Sequence, residues 1–328
     1  MRVLFIGGTG VISTACAELA LARGIELTLL NRGRSAVHPV PAGAEVIHAD
    51  IRDHAAARAA LAGRRFDAVV DWVAFTQEHV EADIALFRGR TDQYVFISSA
   101  SAYQKPPSSL PITESTVLDN PFWQYSRDKI AGEERLVRAF REEKFPYTIV
   151  RPAHTYDRTK VPGAGGWTGI HRLRRGKAVV VPGDGTSLWV LTHARDLAKG
   201  LVGLLGNARA IAEAFHITSD EWLGWNQIYA ALARAAGAEL RLVHVPSTII
   251  ERYHPQWGAG LLGDKTYSAV FDNSKIKRFV PDYAATTPFS AGAREIVAWY
   301  DADPARQVVN EEYDRVMDEL IARMERAF

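Results

Sequence analysis

The segment Phe5-Ile6-Gly7-Gly8-Thr9-Gly10-Val11-Ile12-Ser13 limits the fold more than any other stretch of the chain. Before it, Arg2-Val3-Leu4-Phe5-Ile6 is a short apolar run with β-branched and aromatic side chains, the pattern of a strand buried on both faces. After it, Val11 to Arg23 carries apolar residues at helical spacing and stops at Gly24. A strand, a glycine-rich turn and a helix within 25 residues form the opening of a dinucleotide-binding unit. Glycines let the backbone approach a pyrophosphate, and the free N–H groups of the helix N-terminus receive its charge. The spacing is Gly7-x-x-Gly10-x-x-Ser13, so a serine stands where the usual Gly-x-Gly-x-x-Gly pattern has its last glycine. A glycine pattern by itself also fits a purely structural turn.

The following segments continue the alternation. Glu26–Leu30, Glu45–Ala49, Asp67–Val73, Tyr94–Ile97 and Tyr147–Arg151 are expected strands, separated by helices over Ala55–Leu61, Glu78–Phe87 and about Phe122–Glu143. Asn120-Pro121 is expected to start the last of these, as an N-cap with proline at the first helical position. The fold class expected is α/β, a doubly wound parallel Rossmann sheet with a smaller C-terminal substrate-binding region. Residues 1–155 make up the dinucleotide-binding domain, with segments 185–205 and 212–218 returning to it. Residues 156–328 are mostly the substrate-binding region, ending in an amphipathic helix with Val308, Tyr313, Val316, Leu320 and Met324 on one face.

The residue that closes the second strand of such folds selects the cofactor. An acidic side chain accepts from the ribose 2′-OH, whereas arginine suits a 2′-phosphate. Here the position is Asn31, followed by Arg32 and Arg34, which favours NADP, with NAD as the alternative. A solvated basic turn is the plain reading of the same residues. Asp50 at the end of the third strand could bond the adenine amino group, and Asp53 suits a helix cap.

Tyr125 and Lys129 are four apart in a helix and therefore share a face. A neighbouring ammonium, with the charge of an oxidised nicotinamide, favours the phenolate and makes a tyrosine usable as acid and base. Ser99 closes the fifth strand at the same sheet end as Gly7, where ligands of open α/β sheets bind. A surface Tyr–Lys pair is the alternative.

Composition narrows the classes. With 39 basic and 38 acidic residues the net charge is +1, which leaves no electrostatic footprint for bulk binding to nucleic acid or anionic membrane. Hydrophobic residues make up 47% of the chain, enough for a sizeable core. The single cysteine, Cys16, allows no internal disulfide and no cysteine zinc cluster, and fits a reducing cytoplasm. A strand begins at residue 2, so no signal peptide is expected, and no apolar run is long enough to cross a bilayer. The ten histidines form no His-x-x-x-His pair, so no metal site is expected.

Taken together, the Gly7-x-x-Gly10 turn, Asp50-x-Arg52-Asp53, Ser98-Ser99-x-x-x-Tyr103, Tyr125-x-x-x-Lys129, Arg151-Pro-x-x-x-Tyr156, the Pro182-Gly-Asp-Gly185 loop and His193-x-Arg195-Asp196 resemble the extended short-chain dehydrogenases/reductases, the NAD-dependent epimerase/dehydratase family. The resemblance implies Ser99, Tyr125 and Lys129 as the catalytic set. It implies cofactor contacts from Gly7, Gly10, Val11, Ile12, Asn31, Arg32, Asp50, Ile51, Val73, Ala74 and Pro152. It also implies substrate contacts from Thr76, Ser101, His154 and Trp189, and a homodimer packed through the helices of Glu78–Phe87 and Phe122–Glu143.

Several positions depart from that pattern. His154 replaces an asparagine that contacts substrate, Asp157 replaces a glycine, and Trp189 replaces an arginine that grips a diphosphate. Losing that bidentate donor for an apolar stacking face points away from a UDP- or TDP-sugar and towards a free or simply derivatised sugar or another polyol-like carbonyl compound. Alternatively Trp189 is core, and Arg172, Arg174 or Arg175 takes over the phosphate. Ala100 and Ser101 follow Ser99 where 4,6-dehydratases need an acid, which argues against elimination chemistry. The chain also resembles the chloroplast stem-loop RNA-binding branch of the superfamily, through the Asn31-Arg-Gly33 turn and the 181–196 spacing. RNA binding is therefore one rival, although near-zero net charge argues against nucleic acid. A non-catalytic NADP-sensing regulator is another.

Overall fold

The computed structural model describes residues 1–35 and 37–327. Apolar strands β1 (Arg2–Ile6), β2 (Glu26–Asn31), β3 (Glu45–His48), β4 (Ala68–Asp71), β5 (Tyr94–Ile97) and β6 (Tyr147–Pro152) form one parallel sheet with a seventh strand, Glu213–Ile217. The spatial order runs Glu213–Ile217, β6, β5, β4, β1, β2, β3. The order reverses beside β1, and the carboxyl ends of β1 and β4 open a crevice there. Both faces of the sheet are covered. Val3 and Phe5 point into a layer with Cys16, Ala17, Leu201 and Phe215, while Leu4 and Ile6 point into one with Ile84, Phe96, Leu136 and Ile149.

Helices α1 (Val11–Ala22), α2 (His54–Ala60), α3 (Gln77–Phe87) and α4 (Gln124–Glu143) connect these strands. Helix Ala194–Leu204 lies against α1, and it and strand Glu213–Ile217 join the layers of the sheet although they follow a long excursion. That excursion and the C-terminal third are built on a separate aromatic core that includes Tyr156, Trp167, Trp189, Trp225, Phe289 and Tyr300. The terminal helix Glu311–Ala327 buries Val316, Met317 and Leu320 against Val180, Val245 and Trp257.

Two boundaries differ from the local reading. Asn120 does not cap α4, whose N-cap is Trp123. Its side chain instead closes an earlier turn by accepting from the N–H groups of Phe122 and Trp123, both at 3.2 Å, and donates to the carbonyls of Ser101 and Gly263. Two distant segments thus compete for a residue that local preference assigns to the helix, and Pro121 falls outside it. Strand β4 ends at Asp71 because Oδ1 of that residue accepts from the N–H groups of Val73 and Ala74, at 2.5 and 2.8 Å, and folds the chain into a turn.

Candidate active site

The glycine turn is built from backbone that side chains rarely tolerate. Gly7 and Gly8 have φ of +102° and +95°, and a Cβ on Gly8 would lie 2.7 Å from Leu29 Cδ2. Ser13, in the place of the last glycine, is buried and accepts from the Gly10 N–H at 2.7 Å. It thereby caps α1 and leaves the N–H groups of Val11 and Ile12 as first-turn donors without an intrahelical acceptor. The turn faces a cavity of about 590 Å³, whose wall includes Gly7, Asn31, Arg32, Asp50, Ile51 and Val73. Arg34 and His48 line it too, and Arg32 approaches Asp50 at 3.7 Å. Gly10, Val11 and Ala74 lie outside this wall. A positive-φ cradle, free helix N–H groups and a basic rim fit a dinucleotide diphosphate.

The loop after β2 is fastened across this cavity. Ser35 Oγ donates to the carbonyls of Thr9 and His38, and His38 Nε2 lies 2.7 Å from Asp157 Oδ2. Asp157, the replaced glycine, also accepts from the N–H and hydroxyl of Thr159.

A second cavity of about 490 Å³ shares Phe75 with the first. Ile12, Ser99, Ser101, Tyr125, Lys129, Pro152, His154 and Trp189 all line it, whereas Thr76 does not. Thr76 is the N-cap residue of α3. Lys129 is 2% exposed and its Nζ donates to the carbonyls of Ala74 and Ile97, at 2.6 and 2.7 Å. Burial brings its pKa down to about 8. The Nζ lies 5.7 Å from the centroid of the Tyr125 ring. In these surroundings burial raises the Tyr125 phenol, and hydrogen bonding with Ser99 offsets part of the rise. In the chain alone desolvation, Ser99 and Asp264 govern the phenol, while two carbonyls engage the Lys129 ammonium.

Ser101 stands behind Ser99. Ser126 Oγ donates to Ser101 Oγ at 2.8 Å, and Ser101 Oγ lies 2.8 Å from Ser99 Oγ. With Ser126 donating, the Ser101 proton is free for Ser99, and the Ser99 proton is free for the cavity.

Trp189 is both core and cavity wall. It is 3% exposed, stacks on Trp225 at 5.7 Å, and its Nε1 donates to His154 Nδ1 at 3.0 Å. That bond makes His154 an Nε2–H tautomer, and burial, then Lys265 and Lys160, push its pKa well down. Of the three arginines named as alternatives, two are held elsewhere and Arg175 is exposed outside the wall of this cavity. Arg172 is buried between Asp314 and Asp318, and Arg174 pairs with Asp301. No arginine lines the second cavity among the described residues. Its other polar wall residues include Lys160, Asp264 and Lys265, which no local motif marked. Nor did spacing flag Glu133, one turn beyond Lys129 on α4, which binds Arg151 at 2.6 Å and accepts from Ser98 at 2.5 Å. His193 is the N-cap of helix Ala194–Leu204, its Nδ1 accepting from the Arg195 N–H, as its place near a helix start suggested. No cluster of three His, Cys, Asp or Glu side chains suited to a metal, and no helix apolar and long enough to cross a membrane, occurs among the described residues.

The profile of the NAD dependent epimerase/dehydratase family matches residues 3–218, from β1 to the edge strand and including the glycine turn, Ser99, Tyr125 and Lys129. The chain belongs to that family. This is a family of enzymes in the short-chain dehydrogenase/reductase superfamily, as the motifs implied. A curated relative, the chloroplast stem-loop binding protein of 41 kDa b of Arabidopsis thaliana, is 27% identical over 74% of this chain, which spans 65% of that protein's length. Among solved structures, the epimerase Mth375 of Methanothermobacter thermautotrophicus superposes with a TM-score of 0.77 at 17% identity, covering 93% of this chain and 94% of that one. UDP-glucose 4-epimerase of Bifidobacterium longum, solved with NAD+ and UDP, gives 0.73 at 18% identity, covering 93% and 99%. The two structures share the fold with this chain.

Proposed function

We propose that the chain transfers hydride at a secondary alcohol or ketone carbon of a sugar or sugar-like substrate, with Tyr125 as the acid/base. The observation that carries this reading is the convergence of Ser99, Tyr125 and Lys129 on one cavity that meets the dinucleotide cradle at Phe75. Gly7, the first turn of α1, Asn31, Arg32, Asp50, Ile51 and Val73 would hold the dinucleotide, and Arg32 with Arg34 favours NADP through its 2′-phosphate. The bound nicotinamide supplies or accepts the hydride. Tyr125, kept as a neutral phenol by burial, gives its proton to the carbonyl oxygen as that oxygen gains charge, and takes one back in the reverse direction. Ser99 donates to the same oxygen, and Lys129 supplies a buried positive charge beside the phenol. His154 offers its Nε2–H to a substrate hydroxyl. Net redox and epimerisation draw on these same groups.

Replacing Tyr125 with Phe is expected to abolish turnover on ketose and aldose panels while leaving NADP(H) affinity within a few fold. Full activity in that variant overturns the assignment. Similarity to the stem-loop binding protein supports a second reading, RNA recognition. It predicts binding to structured RNA that weakens steeply as salt rises, and no hydride exchange with any carbonyl compound.

A further inference from the structure

We propose that the substrate of this site carries an anionic oxygen group, a carboxylate or a phosphate ester, held by Lys160 and Lys265 in the cavity that contains Tyr125. The proposal rests on the hydride-transfer reading only for treating that cavity as the substrate site. Three lysines and one carboxylate line the cavity: Lys129, Lys160 and Lys265 against Asp264. Lys129 is spent on two carbonyls. Asp264 faces Lys265 at 3.5 Å, but it also faces Lys105 at 3.4 Å, and the Lys105 side chain is 1% exposed. One carboxylate is thus shared between two ammonium groups, one of them deeply buried. Among the described residues Lys265 Nζ has only long polar contacts, to Asp264 and to the Gly260 carbonyl at 3.4 Å. Lys160 makes no side-chain hydrogen bond or ion pair among the described residues. Asp157, the nearest carboxylate in its sequence neighbourhood, already accepts from Thr159 and contacts His38.

These cations also act on one another. Lys160 is exposed at the cavity rim; the protein around it and then Lys265 lower its pKa, Asp157 opposes them, and both lysines add to the burial that lowers His154. Like charges held together in a partly desolvated wall cost free energy, and an anion among them relieves it. Two ammonium point charges with an imidazole N–H suit a compact oxyanion. The planar fork that grips a diphosphate is missing, since no arginine lines this wall among the described residues.

The test titrates the NADP-loaded enzyme with D-glucuronate, D-glucose 6-phosphate and D-glucose. Intrinsic tryptophan fluorescence reports binding, because Lys265 Nζ lies 5.4 Å from the Trp123 ring and 5.9 Å from the Trp189 ring. At least one anionic sugar is expected to bind ~10-fold or more tightly than glucose, the range of charge-assisted hydrogen bonds. Preference for glucuronate alone identifies a carboxylate, and for the 6-phosphate alone a phosphate ester. The preference should shrink in Lys160→Gln and in Lys265→Gln. In the unmodified enzyme it should shrink as salt rises from about 0.05 to 0.5 M, a measurement independent of how the variants fold. Equal binding of the three sugars overturns the proposal, as does a preference indifferent to both substitutions and to salt. So does a loss confined to NADP affinity in the lysine variants. Anion preference without turnover on any substrate removes the hydride-transfer reading and leaves the anion seat standing.

Discussion

Glu133 offers a sharp test of how α4 is held in place, because among the described residues its carboxylate is the one counter-charge paired with Arg151. The two side chains are 3% and 6% exposed, and they meet through contacts of 2.6, 2.9 and 3.2 Å, with Ser98 donating a further hydrogen bond. Glu133→Ala leaves the Arg151 guanidinium buried with only the Tyr103 hydroxyl and the Glu114 carbonyl, at 3.2 and 3.3 Å. Removing one partner of a buried pair costs about 3–5 kcal/mol, chiefly because the remaining charge has lost its compensation. Urea unfolding followed by tryptophan fluorescence should show the midpoint falling accordingly, with an unchanged slope. The decisive control is Glu133→Leu combined with Arg151→Met, which removes both charges, keeps apolar volume, and should recover most of the loss. A single variant that loses less than about 1 kcal/mol contradicts the expected cost of an uncompensated buried charge. A double variant no more stable than the single shows that packing, rather than charge, was the cost. Because Tyr125, Lys129 and Glu133 follow one another at four-residue spacing, the same pair sets the seat of the proposed catalytic groups.

Three further outcomes are expected. Burial and the adjacent Asp71 raise the Asp83 carboxyl well above the usual range, with the Tyr94 hydroxyl donating to it at 2.6 Å. The stability this group contributes is therefore complete below the ordinary carboxylate range and is lost as pH rises through its raised folded value, so Asp83→Asn should gain on the wild type between acidic and neutral pH in urea midpoints; a constant difference refutes the assignment. Trp189→Phe removes the donor to His154 Nδ1 and should cost about 1–3 kcal/mol in stability, while raising the KM for substrate more than the Kd for NADP. Lys129, with a pKa of about 8, sheds its charge as pH rises through that value, so calorimetric NADP affinity should weaken there in the wild type and show no such step in Lys129→Met.

The parts of the molecule that could be read from the chain alone are those written in short spacing. Short apolar runs and intervening turns place every strand from β1 to β6 within a residue or two, since continuous apolar runs flanked by breakers mark strands covered on both faces. The four-residue step from Tyr125 to Lys129 puts both on the wall of one cavity for the same reason. What lay beyond reading depends on contacts between distant segments. Lys265 reaches the cavity from 136 positions after Lys129, in a segment with no motif. Asn120 looked like a helix cap because nothing nearby reveals that Gly263 also claims its amide. The departures were the more useful signs. Ser13 proved to be the cap of Gly10, Asp157 the anchor of His38, and Trp189 the donor that selects a tautomer.

Cys16 sits under the first helix with 0% exposure, and burial raises its thiol far above the usual range. Thiolate is the form that alkylating and maleimide reagents attack, so the native chain is silent towards them until the α1 layer comes away from the sheet. One unmodified sulfhydryl therefore serves as a built-in clock for opening of that layer, read by pulse labelling and mass spectrometry. The same silence makes the protein a clean host for spectroscopy. Val37→Cys, on the exposed loop beside the dinucleotide cavity, would supply the only reactive thiol, and a fluorophore there could follow ligand arrival with Cys16 left in place.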